Sequence, residues 1–374
     1  MFFSSLRTAG FRNLADAEVF TGAKDVFLIG ENGQGKTNFL EALYFCAYAS
    51  SFRAVRDTEL SCSSFSGNGE KNFCAEVKIS QSVNDSILVK FEKSKKSIFI
   101  NGKHIEDRKE LLFITPSIVY CHEDMEFVSG SPERRRWFFD QTLSLYDPVY
   151  LEDLRRYRRV LKTRNTVLRD FAQNRNRDNS SIEQVLDALD PQFAVYGQKL
   201  MEKREIASKQ FSGVFGPLYE EVSGIAGITV QYIQSWKSEK DAADWLREKR
   251  PADINSGLSL SGPHRDRYLF AHNASQSNGA EFAGRASTGQ RRLLALLLRT
   301  AQACMFSKKT DSNPILLLDD VLLEMDGEKR RRFLSVLPAY DQAFYTFLPD
   351  EPYHRYQKED TLVYNVNQGQ LIRN

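Results

Sequence analysis

Cysteine is scarce in this sequence, and the cysteines stand far apart. None of the five forms a C-x-x-C pair; they are Cys46, Cys62, Cys74, Cys121 and Cys304. Disulfide-rich secreted domains and zinc sites built from paired cysteines need closer spacings. The cysteine spacing therefore argues against a disulfide-rich domain and against a zinc site. It favours a reducing environment, so we expect a cytoplasmic protein.

Long apolar runs are missing as well. No stretch approaches eighteen uninterrupted apolar residues, and Met1 to Arg7 lacks the apolar core of a signal peptide. We therefore expect no membrane partner. Neither sign of charge dominates, because the formal net charge of the 374 residues is +2. The chain is long enough for two domains with a sizeable core, and the placement of its basic residues says more about partners than their sum.

A glycine-rich segment matches the phosphate-loop pattern G-x-x-x-x-G-K-[ST]. It reads Gly30-Glu31-Asn32-Gly33-Gln34-Gly35-Lys36-Thr37. The apolar run 26–29 before it predicts a buried strand, and the periodicity of 38–44 after it predicts a helix. In that context the glycines let backbone N–H groups cradle an anion at a helix N-terminus. We predict nucleotide binding, with Lys36 at the β- and γ-phosphates and Thr37 as a ligand of Mg²⁺.

A second part of an ATPase site is predicted near the other end of the chain. The apolar run 315–318 leads directly into Asp319 and Asp320, as in a buried parallel strand that ends at a ligand site. Asp319 suits a role in holding Mg²⁺, and Asp320 suits a role in orienting or deprotonating the attacking water. A buried strand followed by a polar turn would read the same way. Beside a phosphate loop we favour the catalytic interpretation, with Lys36, Asp319 and Asp320 as the catalytic residues.

A serine, a glycine and a glutamine precede a strongly apolar helix. Ser287 and Gln290 have the spacing of a capping box, which satisfies free N–H groups at a helix start. Together with Gly289 they also suit a second anion site at that helix N-terminus. The two interpretations are compatible. This segment, placed ahead of the carboxylate strand, follows the order of ATP-binding-cassette ATPases, in which it contacts nucleotide held by the other subunit.

The pattern of apolar residues divides the chain into three parts. Residues 1–130 read as strands and turns around the phosphate loop, 131–227 as charge-rich helices, and 228–374 as strands again. We predict an α/β ATPase domain, with an N-terminal part at 1–130 and a C-terminal part at 228–374, interrupted by a helical insertion at 131–227. Two long antiparallel helices form the insertion, the second beginning at Asp190-Pro191. A further helix is predicted at about 242–247.

Basic residues cluster in the first long helix of the insertion. Such a face is suited to DNA backbone phosphates, although charge runs are more often solvated faces whose arginine stems cover apolar neighbours. Both interpretations stay open. The candidate DNA contacts are Arg155, Arg156, Arg158, Arg159, Lys162 and Arg164.

One histidine invites a catalytic assignment. His264 lies in the segment Gly262-Pro263-His264-Arg265-Asp266. A lone histidine beside a proline in a turn is more often structural, but the sequence does not define the role of His264. Arg265 is a candidate for contact with nucleotide or with DNA.

Taken together, the motifs resemble those of the RecF family, whose members are related to SMC-type ATPases. The resemblance spans most of the chain in order and spacing. Besides the phosphate loop it rests on Gly130-Ser131-Pro132, Arg134-Arg135-Arg136 through Asp140, Leu161-Lys162 with Arg164-Asn165, Gly262 to Asp266, Ser287 with Gly289-Gln290-Arg291, and Asp319-Asp320 with Glu324-Met325-Asp326.

The resemblance implies an ABC/SMC-type P-loop ATPase head with an inserted antiparallel helical domain. It also implies an ATP-dependent homodimer, in which ATP is sandwiched between two chains. Weak ATP hydrolysis would then act as a switch between the dimer and the separate chains. The implied partners are single-stranded DNA, gapped double-stranded DNA and the RecR and RecO mediators. The implied role is recombinational repair and replication restart, in which recombinase is loaded at single-strand gaps.

Other functions share parts of this pattern. A P-loop small-molecule kinase would place its carboxylate strand and lid closer to the phosphate loop. A transporter ATPase subunit would carry glutamate where this chain has Asp320, and a histidine where the downstream strand 343–347 offers a threonine. A different ABC/SMC-like ATPase, or a purely structural SMC-like scaffold, is the remaining alternative. A complete ATP site disfavours the scaffold.

Overall fold

The structure is a computed structural model that describes residues 2–62, 71–80, 85–173, 179–237, 241–272, 281–322 and 325–374. The strands are β1 (Phe3–Ala9), β2 (Ala17–Phe20), β3 (Asp25–Ile29), β4 (Phe73–Ile79), β5 (Ser86–Glu92), β6 (Lys95–Ile100), β7 (Lys103–Ile105), β8 (Ser117–Tyr120), β9 (Ile228–Ile233), β10 (Arg267–His272), β11 (Ile315–Leu318), β12 (Gln342–Phe347), β13 (Leu362–Asn367) and β14 (Gln370–Arg373). The helices are α1 (Lys36–Tyr48), α2 (Met125–Ser129), α3 (Pro132–Ser144), α4 (Pro148–Gln173), α5 (Asn179–Ser223), α6 (Ala242–Ser256), α7 (Phe282–Arg285), α8 (Thr288–Thr310) and α9 (Gly327–Ser335).

The chain divides into two compact units. The first unit combines Met1–Asp124 with Phe306–Asn374, and the second unit is Met125–Met305. The first unit thus draws on both ends of the sequence. The predicted division at residues 131 and 228 stays a prediction.

A six-stranded sheet in the order β14-β13-β3-β12-β11-β8 forms the centre of the first unit. Neighbouring strands from β13 to β8 pair in parallel, and β14 pairs antiparallel at the edge. All residues of β3, β11 and β12 are buried, as expected for parallel strands covered on both faces. The prediction of a buried parallel strand at 315–318 is confirmed. The carboxyl ends of β3, β12 and β11 therefore share one edge of the sheet.

A second, antiparallel sheet completes the first unit, in the order β2-β1-β4-β5-β6-β7. Its strands alternate buried and partly exposed residues, because only one face is covered. Asn101 and Gly102 both have positive φ and form the hairpin turn between β6 and β7. The helix α1 packs between the sheets, where its Phe45 contacts Phe73 of β4 and its Phe39 contacts Phe344 of β12.

The second unit is built mainly on the pair α4 and α5. Tyr157 of α4 stacks on Phe193 of α5, and Phe193 meets Trp236 edge-on, with ring centroids 5.0 and 5.7 Å apart. The antiparallel ribbon of β9 and β10 also belongs to this unit. The helical pair was predicted from sequence. Residues 174–178, between its members, lie outside the described part of the chain.

The predicted start of the second long helix at Asp190-Pro191 is wrong. The helix α5 begins at Asn179 and passes through Pro191 without ending. A proline removes one backbone donor from a helix, but tertiary packing can outweigh that loss. Here Asp190 accepts hydrogen bonds from Arg164 and Arg250 at 2.9 Å, and Phe193 is fully buried.

The helix predicted at 242–247 is longer than expected. It continues to Ser256 and ends at Gly257, whose φ of +69° suits a glycine after a helix. Its last turns are held by Asp253, which is fully buried and paired with Arg164. Over the described ranges, no helix is both long and apolar enough to cross a membrane.

Candidate functional site

The phosphate loop starts where β3 ends, in the first unit. The Gly30 N–H donates to the carbonyl of Phe347 on β12 at 3.2 Å, which joins the loop to the neighbouring strand. A Cβ at Gly30 would fall 2.4 Å from the Val366 carbonyl oxygen. Gly33 and Gly35 have φ of +80° and +119°, which strongly favour glycine. The loop therefore needs its glycines at these three positions.

Lys36 is the first residue of α1 and is buried. Its Nζ donates to the carbonyls of Gly30 and Glu31, at 2.6 and 3.1 Å. The ammonium thus lies inside the curve of the loop. A lysine held in this way can exchange the loop carbonyls for phosphate oxygens.

The predicted partners of the loop meet at the carboxyl edge of the parallel sheet. The Thr37 hydroxyl donates to Asp319 Oδ1 at 2.9 Å, across 282 positions of sequence. Thr346, near the end of β12, lies between the two carboxylates. Its Oγ1 is 3.2 Å from Asp319 Oδ1 and 2.9 Å from Asp320 Oδ1, and it accepts the Asp320 N–H at 2.7 Å. The fold therefore brings Lys36, Thr37, Asp319 and Asp320 together.

Burial changes the acidity of this site. It raises the pKa of Asp319 to about 6, and the charge of Asp320 acts in the same direction. Hydrogen bonds from Thr37 and Thr346 oppose the rise. Asp320 has a φ of +50°, which is uncommon for a residue with a side chain. A cation placed between these oxygens would relieve the crowding of negative charge.

The oxygens fit a magnesium ion. Mg²⁺ prefers hard oxygen ligands and is held by one or two protein groups together with phosphate and water. Thr37 Oγ1 and Asp319 Oδ1 offer a hydroxyl and a carboxylate from adjacent elements. These are the two residues that the sequence predicted for the metal.

Sequence reasoning missed the residues that support the loop from outside. Asn13 Nδ2 donates to the Gly33 carbonyl at 3.2 Å. The turn between β13 and β14 also holds the loop, because the Gln368 N–H donates to Gln34 Oε1 and the Gly369 N–H donates to the Gln34 carbonyl, at 2.7 and 2.8 Å. The only local signal is the pair Gln368-Gly369, which predicts a turn and no more.

A buried carboxylate on α1 was missed as well. Glu41 is fully buried and pairs with Arg12 at 2.9 Å and Arg53 at 2.8 Å. Burial alone would raise the pKa of Glu41, but the hydrogen bonds from Arg53 and Arg12 outweigh it and lower the pKa. Through Glu41, both guanidinium groups therefore bind the helix that carries Thr37.

The serine–glycine–glutamine segment lies in the second unit. The Gln290 N–H donates to Ser287 Oγ at 3.2 Å, and the Ser287 N–H donates to Gln290 Oε1 at 2.8 Å. This reciprocal pair confirms the capping box. A Cβ at Gly289 would meet nothing within 4 Å, so the helix start is open to a ligand on that side. The second interpretation of the segment, an anion site, stays a prediction.

The basic residues of α4 fall into different environments. Arg156 pairs with Glu152 at 3.2 Å, and Arg158 pairs with Asp140 at 3.2 Å. Arg155 is half-buried. Arg159 and Lys162 are exposed, and their side chains make no hydrogen bond or ion pair to any described residue. Of the six candidates, these two fit a solvent-facing DNA surface best.

The prediction that Arg164 contacts DNA is wrong. Its side chain is fully buried and donates to Asp190 at 2.9 Å, and to Asp253 and Ser259 at 2.7 Å. Leaving two buried carboxylates without their cation is costly. Arg164 therefore joins α4, α5 and α6.

His264 is structural in this fold. Its Nδ1 lies 2.7 Å from the Tyr157 hydroxyl and its Nε2 lies 2.9 Å from the Ser259 carbonyl. Since a carbonyl only accepts, Nε2 carries the proton and Nδ1 accepts from Tyr157. Burial lowers the pKa of His264 to about 4. The neighbouring Asp266 pairs with the buried Arg204 at 3.0 Å, and Arg265 is exposed.

Comparison with known proteins gives this arrangement a context. The family model described as the RecF/RecN/SMC N terminal domain matches residues 2–368. The protein "DNA replication and repair protein RecF" of Treponema pallidum is 41% identical over 361 residues, which are 96% of this chain and 97% of that protein. The protein of the same name in Bacillus subtilis is 30% identical over 388 residues and all of both chains.

Solved structures share the fold. The recombination mediator protein RecF-ATP of the RecFOR pathway aligns with a TM-score of 0.85 and 23% identity, over 100% of this chain and 97% of that one. The SmcHead bound to the C-winged helix domain of ScpA aligns with a TM-score of 0.55 and 14% identity, over 100% and 98%. The fold and the site define the class: this is an ATPase head of the ABC/SMC type. Within that class, the chain belongs to the RecF family.

Proposed function

We propose that this protein is an ATP-dependent DNA-binding protein of recombinational repair and replication restart. It dimerises on ATP and helps to load recombinase at single-strand gaps, together with RecO and RecR mediators. The observation that carries the proposal is the meeting of Thr37, Asp319, Thr346 and Asp320 beside the phosphate loop, in a chain of the RecF family. Family membership also decides against a small-molecule kinase.

The chain's own residues suit slow hydrolysis. Lys36 would leave the loop carbonyls for the phosphates, and Thr37 and Asp319 would hold Mg²⁺, which supplies positive charge to the transferring phosphoryl group. Asp320 would orient or deprotonate the attacking water, while Thr346 fixes its carboxylate. The hydroxyl contact holds Asp320 in one orientation through its Oδ1. In this proposal, one site beside the phosphate loop carries out both ATP binding and weak ATP hydrolysis.

Substitutions at Lys36 and Asp320 should separate nucleotide binding from ATP hydrolysis. We expect Lys36→Met to weaken nucleotide binding, because the loop loses the cation that contacts the phosphates. Asp320→Asn should retain binding and trap the ATP-bound dimer. Nucleotide affinity and phosphate release test both. If Asp320→Asn hydrolyses ATP at the parent rate, Asp320 is not the residue that activates the water.

The serine segment provides a test of dimerisation. Ser287→Arg should leave the ATP affinity of the protomer intact but abolish ATP-induced dimers, because a long cation replaces a small hydroxyl at the site offered to the partner's nucleotide. Ser287→Ala is the matched control, since it loses the same helix-capping hydrogen bond without added bulk or charge. Sedimentation with and without ATP measures the outcome. Unchanged dimerisation of Ser287→Arg would remove Ser287 from the interface.

The exposed cations of α4 support a backbone-reading surface for DNA. Arg159, Lys162 and Arg169 lie at helical spacing, are exposed, and make no ion pair with a described residue. Removing one cation from a DNA phosphate should reduce the slope of log affinity against log salt by about 1. We expect this from Lys162→Gln on gapped duplex, with Lys209→Gln, an exposed cation of α5, as the control. An equal slope for parent and Lys162→Gln would exclude Lys162 from the DNA surface.

A further inference from the structure

The second unit contains a half-buried arginine that has no carboxylate partner. Arg136 lies on α3, and its Nη1 donates to the main-chain carbonyl of Asp266 at 2.7 Å. Its other four N–H groups make no hydrogen bond to any residue that the structure describes. Glu133, one turn earlier on the same helix, is exposed and makes no ion pair with it. Burial and the charge of Arg204 lower the pKa of Arg136, so this environment disfavours the charged guanidinium.

The carboxylate of Asp266 is already engaged by other groups. Its Oδ2 accepts from Arg204 Nη1 at 3.0 Å and from the Tyr232 hydroxyl. Its Oδ1 accepts the Ser235 N–H at 2.8 Å. Arg136 therefore reaches the main-chain carbonyl of this residue and not its charge.

The carboxylate of Asp140, one turn after Arg136 on α3, is engaged as well. Its Oδ1 accepts from Arg204 Nη2 at 2.8 Å and from the Tyr150 hydroxyl at 2.5 Å. Its Oδ2 pairs with Arg158 of α4 at 3.2 Å. The connected group of charges thus holds three arginines and two aspartates, Asp140 and Asp266, which leaves a surplus of one positive charge.

The surplus charge borders the basic surface of α4. Arg158 joins the two helices through Asp140, and its side chain remains exposed. Lys162 lies one turn further along α4, on the same side of the helix as Arg158, and is exposed. Lys162 is one of the two cations that fit a DNA surface best. The row of cations therefore passes from α4 to Arg136 on α3.

We propose that Arg136 binds a phosphate of the DNA backbone and so extends the DNA surface from α4 onto α3. Its Nε and Nη2 can offer two parallel N–H groups to two phosphate oxygens. The bound anion balances the surplus charge and compensates the burial of the guanidinium. A phosphate contact positions DNA without reading its sequence. The inference rests on the proposed DNA-binding function.

The salt dependence of DNA binding tests this contact. Arg136→Gln should reduce the slope of log affinity against log salt on gapped duplex by about 1, because one phosphate contact is lost. Arg134→Gln is the matched control on the same helix, since Arg134 is exposed but already pairs with Glu126 at 2.7 Å. Its slope should equal that of the parent. Equal slopes for the parent and Arg136→Gln would overturn the inference.

Arg136→Lys provides a second test, which holds even if Arg136→Gln fails to fold. Lysine keeps the charge but cannot bind two phosphate oxygens in parallel. The slope should therefore stay that of the parent, while the affinity falls about three- to tenfold at each salt concentration. An affinity equal to that of the parent would contradict the two-oxygen contact.

Inorganic phosphate is the remaining source of the same anion. Urea unfolding without DNA is followed by the fluorescence of the three tryptophans, all of which lie in the second unit. Phosphate stabilises folded proteins in general, so replacing chloride by phosphate at equal ionic strength should raise the midpoints of the parent and Arg136→Gln equally. A rise confined to the parent would assign the site to free phosphate and overturn the assignment to DNA. A parent that binds neither gapped nor single-stranded DNA would instead overturn the proposed function.

Discussion

His264 should make the second unit sensitive to mild acid. Its pKa is lowered from 6.5 to about 4, chiefly by burial, so the folded state holds the neutral imidazole while the unfolded chain takes up a proton below pH 6.5. This contribution to stability is complete above pH 6.5 and is lost as the pH falls toward 4. Between pH 7.5 and 5 the loss is about 2 kcal/mol, since one pKa unit corresponds to about 1.4 kcal/mol.

The chain carries its own probe for this measurement. Its three tryptophans, Trp137, Trp236 and Trp245, all lie in the second unit, so their fluorescence follows unfolding of that unit in urea. His264→Gln removes the titrating group and should lose about 2 kcal/mol less than the parent between the two pH values. His272→Gln, in the same unit, should behave as the parent does. Equal pH dependence in the parent and His264→Gln would refute the reasoning.

Two further substitutions test contacts that lie outside the predicted ATP site: one that supports the phosphate loop, and one that joins the helices of the second unit. Gly369→Ala should reduce nucleotide affinity, because its Cβ would lie 1.8 Å from the Asn13 carbonyl oxygen at a φ of +79°. The control is Gly102→Ala, at a φ of +76° with nothing within 4 Å, which should bind nucleotide as the parent does. Equal affinities of the two variants would show that the turn does not support the loop. Arg164→Gln should destabilise the second unit by about 3–5 kcal/mol in urea unfolding, as expected when one partner of a buried pair is removed. Arg159→Gln should leave that stability within about 0.5 kcal/mol, and a stable Arg164→Gln would contradict the buried network.

The parts of the site that depend on local sequence were predictable. A strand, a glycine loop and a helix follow each other directly in the sequence. The phosphate loop and its lysine could therefore be recognised without knowledge of the fold. The strand before Asp319 was equally clear, because an uninterrupted apolar run has few other uses. The proximity of Asp319 to Thr37 follows from the general rule that parallel strands present their carboxyl ends at one edge of the sheet.

What sequence could not supply depends on distant contacts. The exposed Arg159 and the buried Arg164 look alike in a run of basic residues, and only the carboxylates of α5 and α6 distinguish them. Pro191 resembled a helix start because local preference was the only guide available, and packing overrode it. The support of the loop by Gly369 arises because the turn between β13 and β14 folds back on the first forty residues of the chain.

The position of β3 has a consequence for synthesis of the protein. This strand is made early, yet both of its neighbours, β12 and β13, lie beyond residue 341. A nascent chain must carry an apolar strand with two open edges until the ribosome has translated the residues beyond 341 that form β12 and β13. Such a chain offers a binding site to chaperones, and a premature stop late in the gene would leave a phosphate loop without the sheet that shapes it.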